Sequence, residues 1–305
     1  GVQTCALPIS WSPPIWMKSN NSSIGGSLLP IYYKSYASYF VHYIKAMKQE
    51  GINIEFISIQ NEPLHDGNNP SLYMPADEQA AFIKQGLGPR FEQAGIETKV
   101  LIYDHNVDRI DYPISILDDD EANKYVYGSA FHLYGGDIAD ISKVHSSHPD
   151  KHIYFTEQWY GAPGNFSEDL KWHIREVIIG SVRNWSKGVI EWNLTSSSSL
   201  EPHTDGGCNQ CLGAITVDGD EVIRNAGYYV MGHVSSFVPP GSKRINSTYY
   251  QSLPNVAFRT PENDIVLLVL NDTEDVQQIG VNQQETKFSV NLKSGSVATF
   301  KWKNE

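Results

Sequence analysis

Residues 52–63 read Ile-Asn-Ile-Glu-Phe-Ile-Ser-Ile-Gln-Asn-Glu-Pro, an alternating apolar run that leads directly into a carboxylate. Apolar residues at every second position predict a buried β-strand. The Asn-Glu-Pro turn would then place Glu62 at the carboxyl end of that strand. A glutamate there is a candidate catalytic residue, although a single one is also typical of a solvated strand end.

A second stretch repeats this pattern later in the chain. Residues 152–157 read His-Ile-Tyr-Phe-Thr-Glu and again run from apolar residues into a glutamate, Glu157. The active site of a (β/α)8 barrel lies at the carboxyl ends of its strands. Two glutamates that end two separate strands can therefore converge on one cleft.

Two carboxylates in one cleft suit the hydrolysis of a glycosidic bond. One must be protonated at the leaving oxygen and the other ionised beneath the anomeric carbon, about 5–5.5 Å apart in a retaining enzyme. Burial and neighbouring charges must separate their pKa values. Asn61 precedes the first glutamate and could donate a hydrogen bond to the substrate 2-hydroxyl.

Strand and helix patterns alternate over the first two thirds of the chain, which favours a parallel α/β array. Strands are predicted to end near residues 60, 104, 132, 157 and 193, and the segment before Trp11 is a further strand candidate. In a barrel the residues at these ends share one face. That face would carry Glu62, Asp104, His105, His132, Tyr134, Glu157, Trp159 and Trp192.

Some of these strand-end residues have an equally good structural explanation. For Asp104 and His105 we favour structural hydrogen bonding over direct catalysis. For His132 and Tyr134 the sequence leaves open whether they orient a carboxylate or simply complete the core.

The pattern changes after Trp192. A Ser- and Gly-rich loop and one helix near residues 225–237 precede four short β runs, at 256–258, 265–270, 286–290 and 297–302. Short strands separated by turn clusters are typical of a small antiparallel sandwich. We therefore predict a partial barrel over residues 1–240 and a β-sandwich over residues 241–305.

Composition restricts the partners. The formal net charge of −12 disfavours nucleic acid and anionic membrane surfaces. The 7 Trp and 17 Tyr suit a carbohydrate cleft because sugars stack on aromatic rings, although core packing explains most of these residues. No apolar run approaches the roughly 18 residues that span a bilayer, and no basic segment followed by an apolar stretch opens the chain.

The cysteines do not favour a metal site. Cys208 and Cys211 could form half of a zinc site, but no second pair follows and His203 is the only histidine nearby. A short loop disulfide and two free thiols are the remaining alternatives. We predict no metal and no cofactor.

A set of motifs in order resembles glycoside hydrolase family 30, which includes acid β-glucosylceramidases and microbial endo-β-1,6-glucanases. The motifs are Trp-Ser-Pro-Pro-x-Trp-Met-Lys from Trp11, Asn-Glu-Pro from Asn61, Asp-His-Asn from Asp104, Phe-His-Leu-Tyr-Gly-Gly from Phe131, Thr-Glu from Thr156, Trp-Asn-Leu from Trp192, and Gly-Gly-Cys-x-x-Cys-x-Gly from Gly206.

The resemblance implies a (β/α)8 barrel with a side β-sandwich and retaining hydrolysis. It implies that Glu62 is the acid/base and Glu157 the nucleophile. It also implies that five further residues line a glucose-binding subsite: Trp11, Asn61, His132, Tyr134 and Trp192.

Two departures from the family pattern stand out. Family members carry sandwich and barrel strands before the Trp11 motif, where this sequence has some ten residues, so we expect a chain that lacks roughly two of the eight barrel strands. Residues 196–202 replace the usual Gly-Gly-Pro loop, which leaves the leaving-group selectivity open.

We therefore expect a retaining β-glycosidase, with β-1,6-glucan as first choice of substrate because the Cys208 loop resembles the microbial branch. A β-glucosidase or glucosylceramidase is the alternative within the family. A catalytically inactive glycan-binding remnant is the alternative from another class. We expect the complete parent protein to be secreted or periplasmic, while its oligomeric state is unknown.

Overall fold

The computed structural model describes residues 6–304, which form two compact units. The first unit contains residues 6–157, 185–188 and 204–207, and the second contains residues 158–184, 189–203 and 208–304. Each unit is described by itself below.

The strands are named in chain order: β1 (Phe56–Ser58), β2 (Lys99–Asn106), β3 (Val126–His132), β4 (His152–Glu157), β5 (Tyr160–Gly161), β6 (Ser186–Val189), β7 (Thr195–Ser197), β8 (Cys211–Leu212), β9 (Ile215–Asp218), β10 (Glu221–Arg224), β11 (Lys243–Ile245), β12 (Asn255–Arg259), β13 (Asp264–Leu270), β14 (Gln277–Gln283), β15 (Thr286–Leu292) and β16 (Val297–Lys303).

The α-helices are α1 (Tyr33–Gln49), α2 (Ala76–Phe82), α3 (Gly88–Ala94), α4 (Asp111–Leu117), α5 (Asp120–Asn123), α6 (Ile141–Ser147), α7 (Phe166–Trp172), α8 (Ser181–Arg183) and α9 (Ala226–Ser235). Short π-helical segments, Ile83–Leu87 and His173–Gly180, join α2 to α3 and α7 to α8. Single 3₁₀ turns lie at Ile15–Met17, Pro30–Tyr32, Val107–Arg109 and Ile138–Asp140.

A five-stranded sheet in the order β1-β2-β3-β4-β6 organises the first unit. β1 to β4 pair in parallel, which places the carboxyl ends of these four strands on one edge. Ala6 and Ile9 form parallel bridges to Ile54 and Ser58, so the segment before Trp11 runs beside β1. Parallel strands alternating with helices confirm the barrel-type α/β fold class for this part of the chain.

An aromatic cluster anchors the helices of the first unit. The rings of Tyr36 and Phe82 stack with centroids 5.4 Å apart, and Phe40 lies 4.8 Å from Tyr36. All three side chains are buried, as the helical spacing of aromatic residues in α1 predicts. Gly51 follows this helix with a φ of +80°, a conformation that glycine adopts without steric cost.

The second unit contains an antiparallel sheet in the order β11-β12-β13-β16 and a separate hairpin of β14 and β15. One core cluster joins this sheet to α9 and the His173–Gly180 segment, through Val256, Phe258 and Leu268 among others. The antiparallel C-terminal domain is confirmed. The predicted boundary at residue 240 stays a prediction.

Beyond Glu157 the sequence-based assignment of strands differs from the structure at several places. It missed β14, whose sequence is rich in Gln and Asn, and it missed the β9–β10 hairpin. It also expected a strand to end at residue 193, whereas β6 ends at Val189. Further along, the Trp192 amide donates to Gln158 O at 2.8 Å in an isolated parallel bridge between Trp159 and Trp192.

Within the described residues, the structure contains no helix whose length and apolar character would allow it to cross a bilayer.

Candidate active site

Glu62 lies just beyond β1, as the sequence predicts. Its φ of +44° lies in the left-handed region, which is rare for a residue with a side chain. Its amide donates to Asp104 O at 2.9 Å, which ties the turn to the end of β2. The carboxylate pairs with His132 Nδ1 at 3.2 Å through Oε1 and accepts from Asn68 Nδ2 at 3.1 Å through Oε2.

Glu157 is the last residue of β4, and its Cα pairs in register with that of His132 at the end of β3. The Tyr134 hydroxyl donates to its Oε1 at 3.1 Å. The same oxygen lies 3.8 Å from His132 Nδ1. The side chain is 12% exposed, so this carboxylate is nearly but not fully buried.

The two carboxylates converge. One oxygen of Glu62, one oxygen of Glu157 and a ring nitrogen of His132 all lie within 4.8 Å of one another. The predicted convergence of two strand-end glutamates is therefore what the structure shows, although their chemical roles stay a prediction.

Asp104 holds the imidazole from the other side. Its Oδ1 lies 3.1 Å from His132 Nε2, and its two oxygens accept from the hydroxyls of Ser58 and Thr156 at 2.5 Å. A β-bulge between Tyr103 and His105 aims this side chain inward, with Tyr103 and Asp104 both at positive φ. Backbone strain of this kind persists where the surroundings fix it.

These charges act together on the pKa of His132. Burial disfavours the imidazolium and is the largest single influence, but the hydrogen bonds to Asp104 and Glu62 and the charge of Glu157 outweigh it. They raise the pKa of His132 to about 10. The imidazole is therefore protonated at neutral pH and donates from both ring nitrogens.

The two glutamates respond differently. Burial favours the neutral form of Glu62, but the hydrogen bond and charge of His132 prevail and lower its pKa. For Glu157 burial is the largest influence and raises the pKa, with the charge of His132 opposing it. Because both carboxyls interact with one imidazolium, they titrate as a coupled pair.

His105 stays outside this hydrogen-bonded network. It is buried, and its Nδ1 has no hydrogen-bond partner among the described residues. Burial lowers the pKa of His105 to about 4, against the charge of Glu62, so the ring is neutral at pH 7. The structural hydrogen bonding that the sequence favours is therefore seen for Asp104 but not at Nδ1 of His105, whose role stays a prediction.

Asn61 and Trp11 lie beside the Glu62 turn in the same unit. The Asn61 side chain is only 3% exposed, and both its amide atoms lack a hydrogen-bond partner among the described residues. A buried amide with unsatisfied donors and acceptor is available to a ligand hydroxyl. The carbonyl of Trp11 accepts from Gln60 Nε2 at 2.8 Å, which fixes the Trp11 backbone next to the end of β1.

Trp159 and Trp192, the other two predicted site residues, belong to the second unit, where an isolated parallel bridge joins them. Glu191 accepts from the Tyr160 hydroxyl at 2.6 Å and pairs with His173 Nδ1 at 2.7 Å. These buried contacts fix the side chain of Glu191, the residue before Trp192. The substrate-binding roles of Trp159 and Trp192 stay predictions.

Two polar residues of the site were assigned no role in the sequence analysis. Asn68 reaches Glu62 from a loop without secondary structure, and Thr156 binds Asp104 from within β4. Only the position of Thr156, immediately before Glu157, could have indicated a role.

The groups around His132 could also be considered as metal ligands, because their atoms are close enough for one ion. A histidine must be neutral to bind a metal. The raised pKa of His132 and its two carboxylate partners oppose this. The absence of a cofactor stays a prediction.

Cys208 and Cys211 form a disulfide, which confirms one of the two alternatives left open by the sequence. Their sulfurs are therefore not available together as zinc ligands.

Comparisons with known proteins agree with this geometry. The glycosyl hydrolase family 30 TIM-barrel domain model matches residues 2–238, and the family 30 β-sandwich domain model matches residues 241–300. The solved structure of the endo-β1,6-glucanase BT3312 is similar at a TM-score of 0.95 and 35% identity, covering 99% of this chain and 72% of that one.

The chain is also similar to curated glycoside hydrolases. An endo-1,6-β-D-glucanase of Aspergillus fumigatus is 32% identical over 317 residues, which cover 95% of this chain and 63% of the relative. The lysosomal acid glucosylceramidase of Mus musculus is 24% identical over 97% of this chain and 62% of its own length. The chain thus spans somewhat less than two thirds of the length of these relatives.

Proposed function

Because the chain belongs to glycosyl hydrolase family 30, we propose that it is a retaining O-glycosyl hydrolase that cleaves β-glucosyl linkages. A β-1,6-glucan is the proposed substrate, since similar proteins include endo-1,6-β-glucanases. The binding partner that this proposal implies for the protein is a carbohydrate.

The separation of the two carboxylates carries this proposal. Glu62 and Glu157 offer oxygens within 4.8 Å of each other. Retaining glycosidases hold their carboxyl groups about 5–5.5 Å apart, whereas inverting enzymes need about 6.5–9.5 Å to admit a water. The short separation favours attack by a carboxylate over attack by a water held between the two groups.

In the proposed mechanism Glu62 protonates the leaving oxygen while Glu157 attacks the anomeric carbon. The C1–O bond breaks and a glycosyl ester of Glu157 forms. Glu62 then removes a proton from water, which attacks the same carbon and releases Glu157. The Tyr134 hydroxyl, which donates to Glu157, stabilises the ionised nucleophile before attack and the departing carboxylate afterwards.

The pKa directions constrain when this chemistry occurs. With the pKa of Glu62 lowered and that of Glu157 raised, the free protein favours the proton on Glu157. Bond cleavage needs the proton on Glu62. We therefore infer that the reactive protonation state is a minor one of the coupled pair, favoured when a leaving oxygen accepts from Glu62.

Hydrolysis of defined substrates tests the proposal. We expect release of reducing sugar from a β-1,6-glucan and little from β-1,3- or β-1,4-glucans. Glucosylceramide in detergent micelles tests the alternative that the mouse relative suggests. If an aryl β-glucoside and all these substrates stay intact, the inactive glycan-binding protein becomes the better explanation.

Product stereochemistry tests the mechanism separately. Proton NMR during the first minutes of hydrolysis should show the β-anomer, because two inversions restore the original configuration. An initial α-anomer would contradict retention.

Replacing His132 with glutamine should move the whole pH profile of kcat/KM upward by about one unit or more. The imidazolium lowers the pKa of Glu62 and opposes the rise at Glu157. Its loss therefore raises both carboxyl pKa values, and each unit corresponds to about 1.4 kcal/mol of lost interaction. Measurement of kcat/KM from pH 3 to 9 checks this. If neither limb of the pH profile moves, His132 does not set the pKa values of the two glutamates.

A further inference from the structure

Lys18 is a buried cation that the proposed mechanism does not use. It is the last residue of the Trp11 motif and is only 2% exposed. Its Nζ donates to Ser71 O at 2.5 Å and to Ser12 Oγ at 3.1 Å, and neither acceptor carries a charge. Burying an ammonium with only neutral acceptors is costly, and the burial lowers the pKa of this lysine.

The two acceptors belong to the two loops that flank Glu62. Ser12 follows Trp11, whose carbonyl is held by Gln60 next to the end of β1. Ser71 belongs to the loop 63–74, which starts immediately after Glu62. The Lys18 ammonium therefore joins the loop of the Trp11 motif to the loop 63–74 that follows Glu62.

Other hydrogen bonds also hold the second loop, including those from the Met74 amide to Pro63 O at 2.8 Å and from the Ser71 amide to Ser23 O at 2.9 Å. The Ser71 hydroxyl donates to Asp66 O at 2.8 Å and accepts from the Gly25 amide at 2.9 Å. Asn68 lies between these two loop residues and donates to Glu62 Oε2 at 3.1 Å. The position of Asn68 thus depends on how the segment from Asp66 to Ser71 is held.

We propose that Lys18 is a positioning residue that holds the loop 63–74 so that Asn68 donates to Glu62. The inference rests on the proposed function in so far as Glu62 is the acid/base. Lys18 touches no reacting atom and acts through the backbone of Ser71.

This arrangement has a kinetic consequence. The Asn68 amide stabilises the ionised form of Glu62, which the mechanism needs when Glu62 activates water. Small displacements of a positioned group can cost about a hundredfold in rate. Loss of Lys18 should therefore reduce kcat more than it raises KM.

The test compares Lys18→Met, Asn68→Ala, the double variant and a control, Lys34→Met, whose side chain is exposed on α1. On an activated aryl β-glucoside, whose slow step is hydrolysis of the glycosyl ester by ionised Glu62, we expect Lys18→Met and Asn68→Ala each to lower kcat at least tenfold. In the Asn68→Ala background, adding Lys18→Met should lower kcat by less than threefold, because the two act through one contact. The Lys34→Met protein should match wild type.

A second measurement does not require turnover. The side-chain amide signals of Asn68 in a ¹H–¹⁵N NMR spectrum, assigned by their loss in Asn68→Ala, should exchange slowly with water in wild type and Lys34→Met. They should exchange at solvent-like rates in Lys18→Met. If wild type hydrolyses no substrate but the Asn68 signals respond in this way, the proposed function fails and the positioning inference survives.

Two outcomes would overturn the inference. One is a folded Lys18→Met protein with wild-type kcat and unchanged Asn68 signals. The other is a full multiplication of the two single effects in the double variant. If Lys18→Met does not fold, Ser12→Ala takes its place, because it removes only one of the two acceptors of Lys18. It should then lower kcat and speed the exchange of the Asn68 signals, and wild-type values of both would overturn the inference.

Discussion

Replacing Glu157 with alanine should lower the hydrolysis rate on the order of 10⁴-fold or more, because the covalent route loses its nucleophile. The pocket left by the carboxylate admits a small anion. Added azide should then attack an activated aryl β-glucoside from the face that Glu157 occupied. A single inversion gives an α-glucosyl azide, which NMR identifies.

The Glu62→Ala protein should respond differently. An aryl glucoside with a good leaving group needs little protonation, so Glu157 still forms the glycosyl ester. Azide should attack that ester and give the β-glucosyl azide after a second inversion. Turnover of unactivated glucan should stay low, since proton transfer contributes about 10²–10⁴-fold.

Glu121→Gln provides the matched control, because this glutamate is exposed in α5, and it should retain full activity. If the Glu62 variant gave the α-azide and the Glu157 variant gave the β-azide, Glu62 would be the nucleophile and Glu157 the acid/base. Wild-type rates in either variant would refute the two-carboxylate mechanism.

The strand ends were predictable because their sequences have a simple periodicity. β1 and β4 are short apolar runs, and a parallel sheet places the carboxyl ends of such runs on one edge. The convergence of Glu62 and Glu157 follows from that topology. The role of His132 did not, since an imidazole at a strand end fits either a core or a site until its partners are known.

Other features were not predictable because no local pattern encodes them. β14 consists largely of polar residues, and two of its residues, Ile279 and Val281, pack on the apolar cluster around Val269. The Lys18 and Asn68 contacts join residues through irregular loops. Loop conformation depends on tertiary hydrogen bonds that a single sequence does not reveal.

The early end of β6 illustrates the same limit at a predicted site residue. The apolar residues Val189 and Ile190 suggested a strand continuing to Trp192. Glu191 interrupts this apolar run, and its buried carboxylate accepts from Tyr160 and pairs with His173. Periodicity does not reveal which partners a charged residue inside such a run will find.

Replacing Asp104 with alanine should destabilise the protein by about 3–5 kcal/mol at neutral pH, the usual cost of leaving a buried charge without its partner. Asp104 is fully buried and faces His132 Nε2 at 3.1 Å. Its removal leaves the imidazolium with less compensation and also leaves the hydroxyls of Ser58 and Thr156 without an acceptor. Urea unfolding at pH 6.5 measures the difference.

The pH dependence separates this electrostatic explanation from simple loss of packing. The pKa of His132 in the folded protein, about 10, lies above the ordinary histidine value of 6.5. Its contribution is therefore fully present below pH 6.5 and is lost as the pH rises through 10. The stability gap between wild type and Asp104→Ala should narrow from pH 6.5 to 10. A constant gap would assign it to packing, and the exposed control Asp220→Ala should stay within about 0.5 kcal/mol of wild type throughout.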